Sequence, residues 1–198
     1  MAKKHRLMLI TFFKVMLGFK KEIKFIIPDS YYASIYNIDY DLLMKQKIDT
    51  ILFDIDNTIT KVDDLNVPQE TINLFENLKT KNFKLLIFSN NHVERAQPIS
   101  KILDVKMLAD AGKPQKEAYD KALKILDSKK ENTVAIGDQI LSDIVGAKKY
   151  GIKSILVDQL SEENNIQTGM AQKLQKIMIY KLTKMNLLEK GKYYIKKM

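Results

Sequence analysis

Acidic side chains follow short apolar runs at two places in this sequence. Asp54 and Asp56 come directly after residues 51–53, and one residue separates them. Burying a charge without a partner is costly, so an apolar strand that ends in two acids needs a ligand or a counter-charge. Asp138 and Asp143 follow another apolar run. Carboxylates in this number suit a divalent cation.

Hydroxyl, amide and ammonium groups follow two other apolar runs. Ser89 and Asn90 end one of them, and Lys113 stands before Pro114 after the other. Each residue alone is a weak signal, because an Asp after a strand usually starts a turn or caps a helix and a Lys before Pro normally faces solvent. Their order along the chain is more specific, because parallel strands bring their carboxyl ends to one edge of a sheet, where ligands bind.

Apolar, β-branched runs alternate with helix-like stretches from about residue 50 onward. Strands are predicted at residues 50–55, 83–89, 105–110, 132–138 and 151–158. Helices are predicted at residues 68–81, 92–104, 114–127 and 139–150, with a bend or division at Pro98. The alternation predicts an α/β fold with a parallel sheet of about five strands and helices on both faces.

The composition limits the kinds of site that the chain can hold. The 198 residues include no Cys, which excludes disulfides, thiolate zinc sites and a cysteine nucleophile. His5 and His92 are the two His residues, so a His metal cluster or a Ser-His-Asp triad is disfavoured. The length fits one domain with appendages.

Both ends of the chain are basic. Residues 1–27 carry seven Lys or Arg and one acid, and residues 171–198 carry eight Lys and one acid. Since the whole chain has a net charge of +9, the body between these ends is mildly acidic. Basic ends suit an anionic membrane surface or another polyanion, whereas solvated, frayed termini are the alternative.

Residues 7–19 form a broadly apolar segment that is shorter than the roughly 18 residues needed to span a bilayer. As a helix, the segment would carry one narrow polar stripe beside flanking basic residues. It is predicted either to lie flat in a membrane interface or to dock on the protein's own core or on a partner.

Four motifs resemble those of the haloacid dehalogenase (HAD) superfamily phosphatases. They are the stretches 54–58, 89–91, 113–114 and 137–143. More narrowly, "FIIPDSYYASIYNID", "SNNHVER", "AGKP" and "GDQILSD" resemble the YqeG-type group of class IIIA, which is similar to phosphatidylglycerophosphate phosphatases. The resemblance covers roughly residues 25–160 and implies a Rossmann-like HAD fold.

The resemblance implies a role for each residue of these motifs. Asp54 would be the nucleophile that forms an aspartyl-phosphate, and it would also bind the metal. Asp56 would act as general acid and then as base, with its backbone carbonyl as a second metal ligand. Asp138 would be the third metal ligand, and Asp143 would be an outer ligand or would orient one. Phosphate contacts are implied for Asn57, Thr58, Ser89, Asn90 and Lys113.

The predicted chemistry requires a cation, because a carboxylate that attacks a phosphate ester approaches a like charge. At about 4 Å and an effective dielectric constant near 20, each such pair costs on the order of 4 kcal/mol. Mg²⁺ suits a site built from oxygen ligands, and Lys113 would offset further charge. Arg95 is a candidate contact for an anionic substrate, with pairing to a surface acid as the alternative.

The spacing of the motifs leaves no room for a cap domain, since neither the gap after Thr58 nor that between Ser89 and Lys113 exceeds about two dozen residues. An open site suits a phosphate on something large, and phosphatidylglycerophosphate at a membrane surface is the most specific prediction. A soluble phosphatase of small metabolites is an alternative, as is a basic protein bound to RNA or ribosomes with an incidental HAD site.

These predictions divide the chain into a basic amphipathic segment (1–27), a capless HAD core (28–160) and a basic, helical extension (161–198). The predicted location is cytoplasmic, with peripheral contact to the inner face of the cell membrane through residues 1–27 and the C-terminal tail. The sequence indicates no obligate protein partner.

Overall fold

The computed structural model describes residues 20–62, 64–160 and 166–192. Its strands are β1 (Ser30–Tyr32), β2 (Thr50–Phe53), β3 (Lys84–Phe88), β4 (Lys106–Leu108), β5 (Thr133–Gly137) and β6 (Lys153–Val157). Its helices are α1 (Lys20–Ile26), α2 (Tyr40–Lys45), α3 (Gln69–Thr80), α4 (Val93–Leu103), α5 (Lys116–Leu126), α6 (Val145–Tyr150) and α7 (Ile166–Lys184). A π-helical turn at Ile140–Ile144 leads directly into α6.

The strands form one parallel sheet in the order β1-β6-β5-β2-β3-β4, which confirms the predicted α/β architecture. β2 pairs with β3 on one side and with β5 on the other, so the strand before Asp54 lies inside the sheet. The predicted count of about five strands is one too low. β1 has three residues at the sheet edge, which are too few to show the pattern of apolar residues that identifies a strand in the sequence.

Helices cover both faces of the sheet because the central strands are apolar on both sides. Ile51 and Phe53 pack on the side that carries α2, α3 and α4. Leu52, between them, packs on the opposite side with α5 and α6. This arrangement is typical of a buried parallel strand.

The predicted helices are present with small shifts at their ends. α4 continues through Pro98 as a single helix, so the division predicted there is not seen. The helix predicted at 139–150 is correct over its second half, but its first half is the π-helical turn. This turn carries Asp143, and π-helical turns are frequent at functional sites.

A third apolar cluster joins the two ends of the described chain. Ile26 of α1, Ile140 of the π-helical turn, and Met178 and Leu182 of α7 are all buried in it. The apolar segment 7–19 lies outside the described residues, and the predicted division into three domains stays a prediction. In the described part of the chain, no helix has the length and apolarity to cross a membrane.

Gly146 allows α6 to approach α5, because a Cβ at this position would overlap the side chain of Tyr119. We expect Gly146→Ala to lower the free energy of unfolding by about 1–3 kcal/mol through overpacking. Urea unfolding measures this loss. In combination with Tyr119→Phe the loss should be smaller, because the hydroxyl group is the nearest clashing group. An unchanged midpoint for Gly146→Ala would contradict the close packing.

Candidate active site

A buried ammonium group joins two carboxylates at the carboxyl edge of the sheet. Lys113 Nζ lies 2.7 Å from Asp54 Oδ1 and 2.6 Å from Asp143 Oδ1. All three residues are buried, and Lys113 is only 2% exposed. The three motifs that contribute these side chains are distant in sequence, and the sheet brings them together as predicted.

Asp138 completes a group of three buried carboxylates. One carboxylate oxygen of each residue, Asp54, Asp138 and Asp143, lies within 4.8 Å of those of the other two. Asp138 is fully buried, and its Oδ2 accepts a 2.7 Å hydrogen bond from Gln159 Nε2. Among the residues that the structure describes, none forms a hydrogen bond with its Oδ1. Buried polar atoms are normally paired, so this free oxygen indicates room for a further ligand.

The backbone after β5 holds the carboxylate of Asp143 in place. The Gln139 N–H donates to Asp143 Oδ2 over 3.1 Å. A Cβ at Gly137 would overlap the same carboxylate, so only glycine allows this close approach. The motif "GDQILSD" therefore has a physical reason for its glycine as well as for its two acids.

Asn90 anchors the loop that carries Lys113. Its Oδ1 accepts hydrogen bonds from the backbone N–H groups of Gly112 and Lys113, and its Nδ2 donates to the Lys113 carbonyl. The Lys113–Pro114 peptide is cis, and the Lys113 ammonium lies 5.1 Å from the centre of the Phe88 ring. The phosphate contact predicted for Asn90 stays a prediction.

Burial and mutual repulsion change the acidity of these groups. Burial raises the pKa of Asp54 to about 7, with Lys113 opposing the rise. Burial, followed by the charges of Asp54 and Asp143, raises the pKa of Asp138 well above its usual range. Burial lowers the pKa of Lys113, but the carboxylates of Asp143 and Asp54 outweigh it and raise this pKa above its usual value. Further positive charge would favour the ionised forms of Asp54 and Asp138.

Arg95 binds Asp56 rather than a surface acid. Its Nε and Nη2 lie 3.0 and 2.9 Å from Asp56 Oδ1. The guanidinium also donates to the Thr60 hydroxyl and to the carbonyls of Lys61 and Asp64. Asn91 Nδ2 donates to the other Asp56 oxygen. Both oxygens of Asp56 are thus held by residues from the α4 side of the site, and the predicted substrate contact of Arg95 stays a prediction.

The remaining predicted phosphate contacts lie at the ends of β2 and β3. Asn57 has a left-handed backbone with a φ of 60°, a conformation that Asn tolerates better than most residues. Thr58 is buried, and its hydroxyl has no hydrogen-bond partner. The Ser89 hydroxyl accepts a hydrogen bond from the Asn91 N–H. His92 lies at the start of α4 and contacts Asp110, in agreement with a helix-start residue.

Comparison with known proteins identifies the family. A family model described as HAD-hydrolase-like matches residues 110–168. The probable phosphatase YqeG of Bacillus subtilis (strain 168) is 31% identical over 153 residues, which cover 77% of this chain and 89% of that protein. The chain belongs to the YqeG-type phosphatases of the HAD superfamily. It is a phosphoric monoester hydrolase.

A solved structure agrees with this fold. The HAD phosphatase from Thermococcus onnurineus has a TM-score of 0.50 at 16% identity, over 66% of this chain and 98% of that one. Such low identity supports the common fold alone.

A divalent cation fits the residues of this phosphatase. Asp54, Asp138 and Asp143 supply only oxygen donors, which Mg²⁺ prefers. The unpartnered Asp138 Oδ1 is available as a ligand atom. The raised pKa values of Asp54 and Asp138 also indicate that the site lacks sufficient positive charge from protein groups.

Sequence reasoning missed three residues that hold the site. Gln159 lies just beyond the carboxyl end of β6, so the rule that predicted the other site residues applied to it as well. Asn91 was part of the quoted motif but had no assigned role. Gln175 lies on α7 and contacts the backbone at Asp138 and Ile140. No sequence signal connects that helix to the site.

The raised pKa of Asp138 predicts how pH affects the metal-free phosphatase. The pKa of Asp138 in the folded state lies above its ordinary value of 3.8, so its contribution to stability is complete below pH 3.8 and declines as the pH rises, because the buried carboxylate must then ionise. Asp138→Asn removes that charge. We expect its thermal unfolding midpoint in EDTA to exceed that of wild type at pH 8, on the order of 5 °C.

At pH 4 the two proteins should melt at similar temperatures, because Asp138 is then protonated in the folded state. Addition of Mg²⁺ at pH 8 should stabilise wild type more than Asp138→Asn. A higher midpoint for wild type than for Asp138→Asn in EDTA at pH 8 would contradict this account.

The ion pair between Arg95 and Asp56 also makes a testable contribution to stability. Both side chains are largely buried, with exposed fractions of 11% and 17%. We expect Arg95→Met to lower the free energy of unfolding by about 3–5 kcal/mol, because it leaves the Asp56 charge without its partner. In urea unfolding, a second change, Asp56→Asn, should recover part of this loss. Additive losses in the double variant would show that the two side chains do not interact.

Proposed function

We propose that this phosphatase is Mg²⁺-dependent and hydrolyses phosphatidylglycerophosphate at a membrane surface through an aspartyl-phosphate. The observation that carries the chemical part is the buried group of Asp54, Asp138 and Asp143, with Lys113 bound to two of them and Asp138 Oδ1 left free. Mg²⁺ held by these carboxylates would neutralise phosphoryl charge and orient the phosphate for in-line attack.

Asp54 acts as the nucleophile in this proposal. Its carboxylate attacks phosphorus, a phosphorus–oxygen bond forms, and the bond to the leaving alcohol oxygen breaks. Asp56 donates a proton to that oxygen and then accepts one from the water that hydrolyses the aspartyl-phosphate. Both Asp56 oxygens accept hydrogen bonds in the structure, so the proton that Asp56 donates must lie on a lone pair that these donors leave free.

Lys113 offsets charge while the phosphate is bound. It already contacts Asp54, so its ammonium stands beside the atom that would carry the phosphoryl group. Ser89 and Thr58 are buried hydroxyl residues near the ends of β3 and β2, and the proposal assigns them to the phosphoryl oxygens. The Thr58 hydroxyl has no partner within the described protein, which leaves it available for this contact.

An open active site supports a large substrate. In the described residues, α3 is the only helix between Thr58 and β3, and α4 is the only helix between Ser89 and Lys113. Neither segment forms a separate domain over the active site. A phosphate that remains attached to a bilayer can reach such a site, whereas a small metabolite gains little enclosure from it.

The outer face of α7 supports a membrane location. Ile177 and Tyr180 are exposed there by 44% and 65%. Exposed Lys173, Lys176 and Lys184 lie on the same helix, and the Lys184 ammonium is 5.6 Å from the centre of the Tyr180 ring. Each Lys near an anionic bilayer contributes about 1 kcal/mol of attraction, and Tyr favours the interface.

Phosphate release from phosphatidylglycerophosphate in anionic vesicles tests the proposal. We expect turnover that requires Mg²⁺ and that falls on the order of 10³-fold or more in Asp54→Asn, since the nucleophile is lost. Asp104→Asn is a matched control, because Asp104 has the same side chain at an exposed helix end. It should retain wild-type turnover.

Vesicles whose only anionic lipid is the substrate itself, in an otherwise zwitterionic bilayer, separate attraction to the membrane from the chemistry. Slower turnover on these vesicles at equal substrate would support electrostatic docking. If the enzyme hydrolysed a water-soluble phosphate ester but not phosphatidylglycerophosphate, the proposed mechanism would stand and the proposal of a lipid substrate would be overturned. Absence of turnover on both substrates, with strong salt-dependent RNA binding that survives Asp54→Asn, would favour the RNA-bound alternative.

A further inference from the structure

Gln175 on α7 contacts the backbone of the loop that carries Asp138. Its Nε2 donates to the Asp138 carbonyl oxygen, and its Oε1 accepts a 2.9 Å hydrogen bond from the Ile140 N–H. One side-chain amide thus binds the loop on both sides of Gln139. The amide has one orientation that satisfies both contacts, because a carbonyl can only accept and an N–H can only donate.

The other backbone contacts of this loop are made by Gln139, whose carbonyl accepts from the Asp143 and Ile144 N–H groups and whose N–H donates to Asp143. Gln175 instead binds the groups on either side, the Asp138 carbonyl and the Ile140 N–H, between the end of β5 at Gly137 and the start of the π-helical turn at Ile140. Gln175 is 8% exposed and Asp138 is fully buried, so water cannot readily replace the amide. Buried backbone groups require a partner, and Gln175 supplies two.

This loop determines where two of the three site carboxylates lie. Asp138 is part of it, and the Gln139 N–H binds Asp143 Oδ2 over 3.1 Å. A shift of the peptide groups at 138–140 would therefore move the carboxylates of Asp138 and Asp143 together. Gln159 holds only the side chain of Asp138, through Oδ2, and does not restrain the backbone.

Apolar contacts fix Gln175 itself. Met178 and Leu182 lie one and two turns further along α7 and are buried against Ile140 and Leu141. The helix is therefore anchored to the same loop and turn that Gln175 contacts. α7 follows the core segments of the fold in sequence, yet its buried Gln175 amide binds the backbone of a candidate metal ligand.

We propose that Gln175 is a positioning residue for the divalent cation, because its amide clamps the Asp138 loop from α7. This inference rests on the proposed Mg²⁺ site. Residues that orient metal ligands affect metal binding strongly. Their loss typically weakens metal affinity or activity by about 10–100-fold. The extension at the C-terminus is then part of the active site rather than an appendage.

Calorimetric titration of the full-length phosphatase with Mg²⁺ tests the proposal without reference to any substrate. Gln175→Met keeps the length of the side chain and removes both hydrogen bonds. We expect it to raise the dissociation constant for Mg²⁺ by about tenfold or more. Gln175→Asn, which is too short to reach both groups, should change the constant in the same direction and replaces Gln175→Met if that variant does not fold.

Leu188→Ala is the matched control. Leu188 is buried in the same apolar cluster but lies beyond the end of α7, 13 residues after Gln175, and its side chain has no polar atom that could bind the loop. This variant should melt at a lower temperature yet bind Mg²⁺ within about twofold of wild type, at a temperature at which every variant is folded. If the role of Gln175 were purely structural, Gln175→Met would also bind Mg²⁺ within about twofold of wild type.

Kinetics provide a second readout. With p-nitrophenyl phosphate as probe, Gln175→Met should need more Mg²⁺ for half-maximal activity, while kcat at saturating Mg²⁺ stays close to wild type. Wild-type affinity for Mg²⁺ in both Gln175 variants would overturn the positioning role. Lack of Mg²⁺ binding by wild type would instead overturn the proposed cation site on which it rests.

Discussion

Three carboxylates share one buried place at the carboxyl edge of the sheet, and the rest of the site depends on how their charge is balanced. Lys113 supplies one positive charge from the protein itself, and its ammonium contacts Asp54 and Asp143 at hydrogen-bond distance. One ammonium does not balance three acids, and the pKa values of Asp54 and Asp138 are raised first by burial and then by the charges of the neighbouring carboxylates. A divalent cation would supply the missing charge, so the electrostatics of the protein and the chemistry of phosphate hydrolysis require the same ion.

Several parts of the fold hold this charged group in position. Asn90 anchors the backbone of the Lys113 loop, Gly137 allows Asp143 to approach, and Gln159 and Gln175 hold Asp138 by its side chain and backbone. These contacts come from both sides of the sheet and from the C-terminal helix. Buried like charges repel, so the contacts prevent the site from relaxing into a geometry that separates them.

Much of the fold could be predicted from the sequence, because the spacing of apolar residues and the composition of a segment are local properties. All five predicted strands are present, since each is an apolar run bounded by turn residues. The strand β1 was missed because three residues at an edge carry no period. The π-helical turn was predicted as ordinary helix, because its apolar residues also fit a helical period. The helix through Pro98 stays whole, since the packing of α4 outweighs one lost hydrogen bond.

The sequence by itself determined which motif follows which strand, and the set of acids, hydroxyl and ammonium that meet at one edge. It could do so because a parallel sheet aligns strand ends whatever the loops between them do. Only the tertiary structure decided which partner each side chain takes: Arg95 with Asp56, Asn90 with the Lys113 loop, and Gln175 with the Asp138 loop. Those contacts depend on side-chain direction and on segments far apart in the chain, which neither period nor spacing encodes.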